Sequence, residues 1–419
     1  MISFSAPHGI RKVADRFKGV FSCNYNCLCA LFALYFFDLK SFCDAARQFG
    51  WSQSVSSLHK AAHKFSENRF MRRARASVLK KLKKSLNSDD FCYAIDDTAN
   101  PKYGKKIFAT GNWGMHGGGM YHGQRIMVLV LVNKKSGYAI PLHYSFCFKK
   151  DDSDYKSGHE LVIELLKDIV KDGFPKLPVA MDSWFDSYKL MNALDKIEFT
   201  FCIQSKNNRN VKINPSPYAK WFSWKNLFKK ISKTAVKLVR TAHQKKRKKT
   251  KYLSEHLVYI KNRSAPLKAV ALYNHKGDEK HFAIYVTNSL KMEAWYLYEL
   301  SRKRWLQEEL FRNLKQNFSF GRLACTGKEG ADLSVCLPFA LIISLQLFPH
   351  EWSQENVSSL TIGTRIEKIK AENFQKSLHL LIQNPQHPLI SVLKSRQHLS
   401  RIHKKPVNST ADEHMVGVV

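Results

Sequence analysis

Ser301-Arg-Lys-Arg-Trp-Leu-Gln-Glu-Glu-Leu-Phe-Arg-Asn-Leu-Lys315 sets an acid among cations at helical spacing. At about 100° per residue, a helix puts Ser301, Arg304, Glu308, Arg312 and Lys315 within roughly 40° of one line. Leu306 and Leu310 fall on the opposite side, where a core would lie. One carboxylate flanked by cations suits a metal-binding acid working on a phosphodiester whose neighbouring phosphates need holding. A solvated amphipathic helix with a salt bridge gives the same pattern, so the rest of the chain has to decide.

Charge is the first arbiter. The 419 residues carry 68 Lys+Arg against 34 Asp+Glu, a formal net charge of +34. Such an excess implies a polyanionic partner, nucleic acid before an anionic membrane. The longest apolar run, Leu333 to Phe348, is broken by Ser334, Pro338, Ser344 and Gln346, so no membrane partner is expected. Met1 to Phe21 is too charged for a signal peptide, and a cytoplasmic protein is expected. The 9 cysteines lack framework spacing, which fits reduced thiols. Cys23, Cys27 and Cys29 lie in an apolar helical stretch and read as buried thiols rather than zinc ligands.

Five regions follow along the chain. Residues 1–88 read as a helical DNA-binding region. Within it, Leu39 to Gly50 and Ser54 to Phe65 resemble a helix-turn-helix that would present His59, Lys60, His63 and Lys64 to a groove. The basic, acid-free run Arg72 to Lys84 reads as a backbone-contacting helix. Residues 89–205 give strands at Phe91–Asp97, Gln124–Asn133 and Gly137–Cys147, then a helix at Gly158–Lys171. A strand at Leu177–Asp182, a helix at Ser187–Leu194 and a strand at Glu198–Gln204 complete the order. That is the element order of an α/β, ribonuclease-H-like domain, here by analogy of order. Residues 206–289 form a basic, β-rich insertion, with strands at His256–Ile260, Leu267–Leu272 and His281–Thr287. From 205 to 251 there are 16 Lys or Arg and no acid. Trp221, Trp224, Lys225 and Lys229 interleave aromatic and cationic groups there, as a surface touching backbone and unpaired bases would. Residues 290–350 return to the core domain, and 351–419 form a helical region followed by a tail expected to be disordered past His403.

Two acids can join Glu308. Phosphodiester cleavage with metal ions needs carboxylates converging on hard cations, and the carboxyl ends of adjacent strands are the place for them. Phe91-Cys-Tyr-Ala-Ile-Asp-Asp97 and Leu177-Pro-Val-Ala-Met-Asp182 both end that way. Asp96 and Asp97 face opposite sides of a strand, so only one can enter the site. Asp186 reads as a loop cap, and Glu309 points about 100° from the cationic face. Gln124, His116, His122 and His143 are weaker candidates for the same region. The Gly-rich stretch Gly111–Gly123 lacks the form of a phosphate loop.

Together these features resemble the insertion-sequence transposases of the DDE superfamily, in the hairpin-forming group with a β-strand insertion before the Glu. That group's signature is Tyr, two residues, Arg, three residues, Glu, six residues, Lys. Arg304, Glu308 and Lys315 match it, with Ser301 in place of the Tyr. The family's first motif, an apolar strand ending in Asp-Thr, selects Asp97 over Asp96, and its second selects Asp182. The resemblance implies Asp97, Asp182 and Glu308 as catalytic, metal-binding residues for two Mg²⁺, with Mn²⁺ as a substitute. It implies Ser301, Arg304, Arg312 and Lys315 as DNA contacts. The substrates would be double-stranded transposon ends and target DNA, cut through a hairpin and joined by a homodimer. It also implies an aromatic in the insertion, among Trp221, Trp224 and Phe282, that stacks a flipped base. A catalytically inactive or domesticated DNA-binding derivative is the alternative, motivated by Ser301. A nuclease for RNA–DNA hybrids is a more distant one.

Overall fold

Phe91 to Ile95 are all buried, as in a strand covered on both faces, and this strand lies at the centre of the fold. The computed structural model describes residues 7–39, 41–43, 55–86, 89–104, 106–115, 118–231, 236–238, 251–278, 282–321, 326–353 and 360–383. Strand β1 (Phe91–Pro101) pairs antiparallel with β3 (Met120–Asn133) and parallel with β5 (Val179–Met181). The outer edge of β3 is shared. β2 (Thr110–Gly114) takes one half and β4 (Tyr138–Cys147) the other. β6 (Phe201–Gln204) runs parallel to β5. The crossovers are α5 (Gly158–Lys171) and α6 (Tyr188–Lys196). Ser157 and Glu160 start α5 with a reciprocal capping box. The order β4-β3-β1-β5-β6 is ribonuclease-H-like, as the element order implies. β2 was not foreseen, because its Thr-Gly-Asn-Trp-Gly sequence has little strand propensity.

The insertion comprises β7 (Asn210–Lys212), β8 (Phe222–Ser223), α7 (Trp224–Ile231), β9 (Val236–Leu238), β10 (Lys251–Ile260), β11 (Leu267–Tyr273) and β12 (Phe282–Thr287). It is not a separate module. β12 pairs antiparallel with β6 through Tyr285↔Gln204 and Val286↔Ile203, so one sheet of 12 strands runs through both parts.

The helices close one side. α1 (His8–Phe17), α2 (Tyr25–Phe36), α3 (Val55–His63) and α4 (Glu67–Leu82) pack around α10 (Lys328–Leu347). By length and composition α10 could cross a membrane, but 89% of its apolar window is buried against these helices and β4. Cys27 and Cys29 are buried in α2, and Cys23 is half-buried beside it. Most of the first helix of the expected helix-turn-helix, Leu39 to Gly50, lies outside the described residues, as do residues 239–250 of the basic stretch. So do His116 and the chain past 383. The second expected helix is α3, with His59, Lys60, His63 and Lys64 all exposed.

In α4, Arg72, Arg73, Lys80 and Lys81 face out, whereas Arg75 turns inward. Arg75 pairs with Asp172 and donates to the Leu142 carbonyl at 3.3 Å, which removes it from any DNA-contacting face. α8 (Ala294–Lys303) and α9 (Trp305–Asn317) divide the expected single helix at Arg304. The Arg304 carbonyl accepts from Gln307 at 2.9 Å, a tighter turn than the α spacing. α11 (Ile362–Gln383) completes the fold.

Candidate active site

Strand register selects the first acid. β1 and β5 pair as Tyr93↔Val179 and Ala94↔Ala180, and continuing that register by two residues sets Asp96 beside Asp182 on one face. Asp97 then points to the other face, where Arg125 of β3 pairs with it, one contact being 3.0 Å. Asp182 follows three buried residues and caps the turn Ser183–Phe185, its Oδ1 accepting from the Trp184 amide at 2.9 Å.

Helix α9 is fixed at the same height. Leu310 and Leu314 bury its inner face, and buried Gln307 donates to the Val128 carbonyl at 3.0 Å. Val128 is the β3 partner of Asp96, so Glu308 arrives level with Asp96. Glu308 lies in the first turn of α9, where the helix dipole favours a carboxylate. Arg304 joins the two acids, with Nη1 2.9 Å from Asp96 Oδ2 and Nη2 2.9 Å from Glu308 Oε1. Burial pushes the Asp96 carboxyl up to about 7, helped by the Asp182 charge and opposed by Arg304. The family motif favours Asp97, yet the geometry brings Asp96 to Asp182, Arg304 and Glu308. The strand pattern allows either acid and the motif resemblance selects Asp97, because a strand's facing depends on its register with a distant neighbour.

The cationic face is smaller than the helical wheel implies. Arg304 and half-buried Lys315 stay on the β1 side, and burial lowers the Lys315 pKa against the opposing pull of Asp97. Lys315 also lines a 380 Å³ hollow with Ala99, Asn100, Tyr103 and Phe320. Arg312 is exposed and lines a different cleft of 930 Å³, together with Glu309 and Arg365. The break at Arg304 and the edge position of Arg312 account for the difference. Ser301 Oγ donates to the Tyr298 carbonyl at 2.7 Å. It also lies beside the Tyr285 phenol, whose pKa burial raises and Ser301 lowers. Tyr285, a residue of the insertion, was missed because only folding brings β12 to α8.

Other candidates separate. Trp224 is 1% exposed and donates to Ser205 Oγ at 2.9 Å; it is core, not a stacking surface. Trp221 is 38% exposed, with Lys212 5.3 Å from its ring centroid, and Lys225 is exposed. Lys229 and Phe282 lie on α7 and β12, their side chains outside the described residues. Asp186 is buried and held by Ser205, the Lys206 amide and Arg209, consistent with a cap. Gln124 is locked to Asn100, His122 meets Asn112, and His143 meets Asp168 at 3.4 Å, so none faces the acids.

Carboxylate oxygens are hard ligands of the kind that hold Mg²⁺ or Mn²⁺, and Asp96, Asp182 and Glu308 offer them from three separate elements. Among the described residues no three His, Cys, Asp or Glu yet stand together as a metal cluster. Arg304 occupies the gap between Asp96 and Glu308.

A ribonuclease-H-like sheet with acids at adjacent strand ends, facing a helical Glu, is a frame for cutting and joining nucleic acid strands. The chain matches the Transposase DDE domain family over residues 88–343, more than half its length, and belongs to that family. It is a DNA transposase by that membership. No curated protein matches it in sequence. Among solved structures it is similar to a piggyBac transposase synaptic complex with hairpin DNA, seen by cryo-EM. The identity is 12% and the TM-score 0.48, over 93% of this chain and 78% of that one.

Proposed function

We propose that this transposase cuts transposon ends and joins them to target DNA at a site built by Asp96, Asp182 and Glu308. The observation that supports the reading is the Arg304 bridge from Asp96 to Glu308, beside the end of β5, where Asp182 follows the strand. Two Mg²⁺ held by these carboxylates would activate water or a 3′-hydroxyl and offset charge on the phosphate. The protein's own part is positional. Arg304 exchanges Asp96 for a substrate phosphate oxygen, which opens the space between the acids. Lys315 holds a flanking phosphate, and the exposed cations of α3 and α4 engage the duplex backbone.

A hairpin route and a homodimer on paired ends belong to the same proposal. The resemblance of the Arg304, Glu308 and Lys315 spacing to the hairpin-forming group motivates both. An inactive derivative had Ser301 as its support, and the Tyr285 phenol beside Ser301 weakens that support.

The test is incubation with the flanking genomic DNA and Mg²⁺, followed by mapping of the cut ends. Discrete cuts are expected at the element boundaries, absent from Asp182→Asn and Glu308→Gln. Cleavage unchanged in both variants would refute the site.

A further inference from the structure

Cys23 and Cys27 stand at the start of α2, and their thiols are hydrogen-bonded to each other. Cys27 donates and Cys23 accepts. That bond holds the Cys23 thiol below the ordinary thiol range against the pull of burial, and it raises Cys27 together with burial. The N-terminal end of α2 also favours a thiolate here. Cys23 is half-buried and Cys27 buried, so one sulfur can meet a small reagent while the other waits behind it. Neighbouring thiols are held differently. Cys29 is raised to about 11 by burial and is hydrogen-bonded to the Tyr25 phenol. Cys147 is half-buried too, but burial raises it to about 12.

The two sulfurs are anchored to different parts of the helical region. Cys23 ends the turn after α1, where buried Phe21 packs on Phe65 and Phe70 with ring centroids at 5.3 and 5.8 Å. The Cys27 thiol has one proton and two acceptors, the Cys23 sulfur and the Ser57 carbonyl of α3 at 3.8 Å. Helix α3 rests on only three buried residues, Leu58, Ala61 and Ala62, and its His59, Lys60 and His63 are exposed. A disulfide of about 2.05 Å would remove the proton that reaches Ser57 and draw the first turn of α2 toward the pinned turn.

We propose that Cys23 and Cys27 are a thiol–disulfide site, through which a small disulfide such as oxidised glutathione loosens α3 and weakens DNA binding. The Cys23 thiolate attacks one sulfur of the small disulfide and expels the other half as a thiolate. Cys27 gives up its proton, attacks the mixed disulfide at Cys23 and expels the second thiolate. The two cysteines lose two electrons, and two small-molecule thiols are formed. The proposal rests on the exposed cations of α3 engaging the duplex and adds a control over that contact.

The test uses the full chain with Cys43→Ser and Cys325→Ser, equilibrated in glutathione buffers of graded oxidation. Peptide mass should show the loss of two hydrogens from the segment holding Cys23 and Cys27. The oxidised form should bind duplex DNA from an element boundary about fivefold more weakly. By linkage, bound DNA should then raise the midpoint potential of the pair by about 20 mV. Cys27→Ser should trap glutathione on Cys23, and Cys23→Ser should take up none and bind DNA equally in every buffer. Absence of the Cys23–Cys27 bond in all buffers would overturn the proposal, as would equal DNA affinity of the two forms. Lys60→Ala in the reduced chain keeps the two failures apart. Unchanged affinity in that variant refutes the contact of α3 with DNA, whereas weaker binding without any response to oxidation refutes the switch.

Discussion

Arg304 and Asp96, 208 residues apart, form a 2.9 Å ion pair in which the same guanidinium also holds Glu308. Asp97, one residue on, is held instead by Arg125. Asp96→Asn should therefore lower Mg²⁺-dependent end cleavage by about 10³-fold or more, as removal of an essential group does. Asp97→Asn should cost far less. Rates on labelled ends measure both, and a reversed order would return the role to Asp97.

Removing the guanidinium separates its two duties. Arg304→Ala should bind Mn²⁺ more tightly without DNA, because a competing cation leaves the acids, yet cut poorly. Calorimetry with Mn²⁺ and a cleavage assay read the two effects independently. Weaker Mn²⁺ binding would mean that Arg304 preorganises the acids rather than competing for them.

Glu67 gives a pH dependence at the junction of α4 and α10. Burial, then the Asp332 charge, raise its pKa to about 7, with Arg75 and Lys328 opposing. The folded chain thus keeps a proton that the unfolded chain loses near 4.5. Stability from this group is present at pH 4 and is lost as pH rises toward 7, by up to about 3 kcal/mol. Urea unfolding should show the decline in the parent and a shallower one in Glu67→Gln. A parallel decline in both would assign it elsewhere.

Two arginines on one helix should behave differently. Arg75→Ala removes the close partner of half-buried Asp172, leaving it only the looser contact to Arg72 at 3.8 Å, and should cost about 1–3 kcal/mol of stability. Arg72→Ala, on the exposed face, should leave stability within about 0.5 kcal/mol and reduce the salt dependence of DNA binding. Denaturation and salt titrations distinguish them.

The insertion's tryptophans divide in the same way. Trp224→Ala should destabilise the fold by about 3–5 kcal/mol. Trp221→Ala should unfold normally and bind DNA more weakly. A melting curve for Trp224→Ala that matches the parent would contradict its place in the core.

Much of the fold was legible because its signals are local. The apolar run of β1 and the periodicity of α5 announce themselves within a few residues. What was not legible depends on pairing between distant segments. Asp96 is chosen by the β1–β5 register, Tyr285 reaches Ser301 only through the β12–β6 pair, and Arg75 leaves the basic face only because Asp172 waits across the core. The helix break at Arg304 shifts its neighbours by too little to alter a periodic pattern, and Trp224 reads like Trp221 until burial is known.

The seam between β6 and β12 also has a mechanical meaning. Asn288, just past β12, accepts from the Phe201 amide at 3.1 Å and donates to Asp195 at 2.8 Å, stitching the seam to α6. The pairing thus joins the basic strands directly to the sheet in which β6 lies beside β5, the strand that leads into Asp182. Excising residues 206–289 would not give a trimmed enzyme; it would bare the hydrogen-bonding rim of Ile203 and Gln204 and invite self-association.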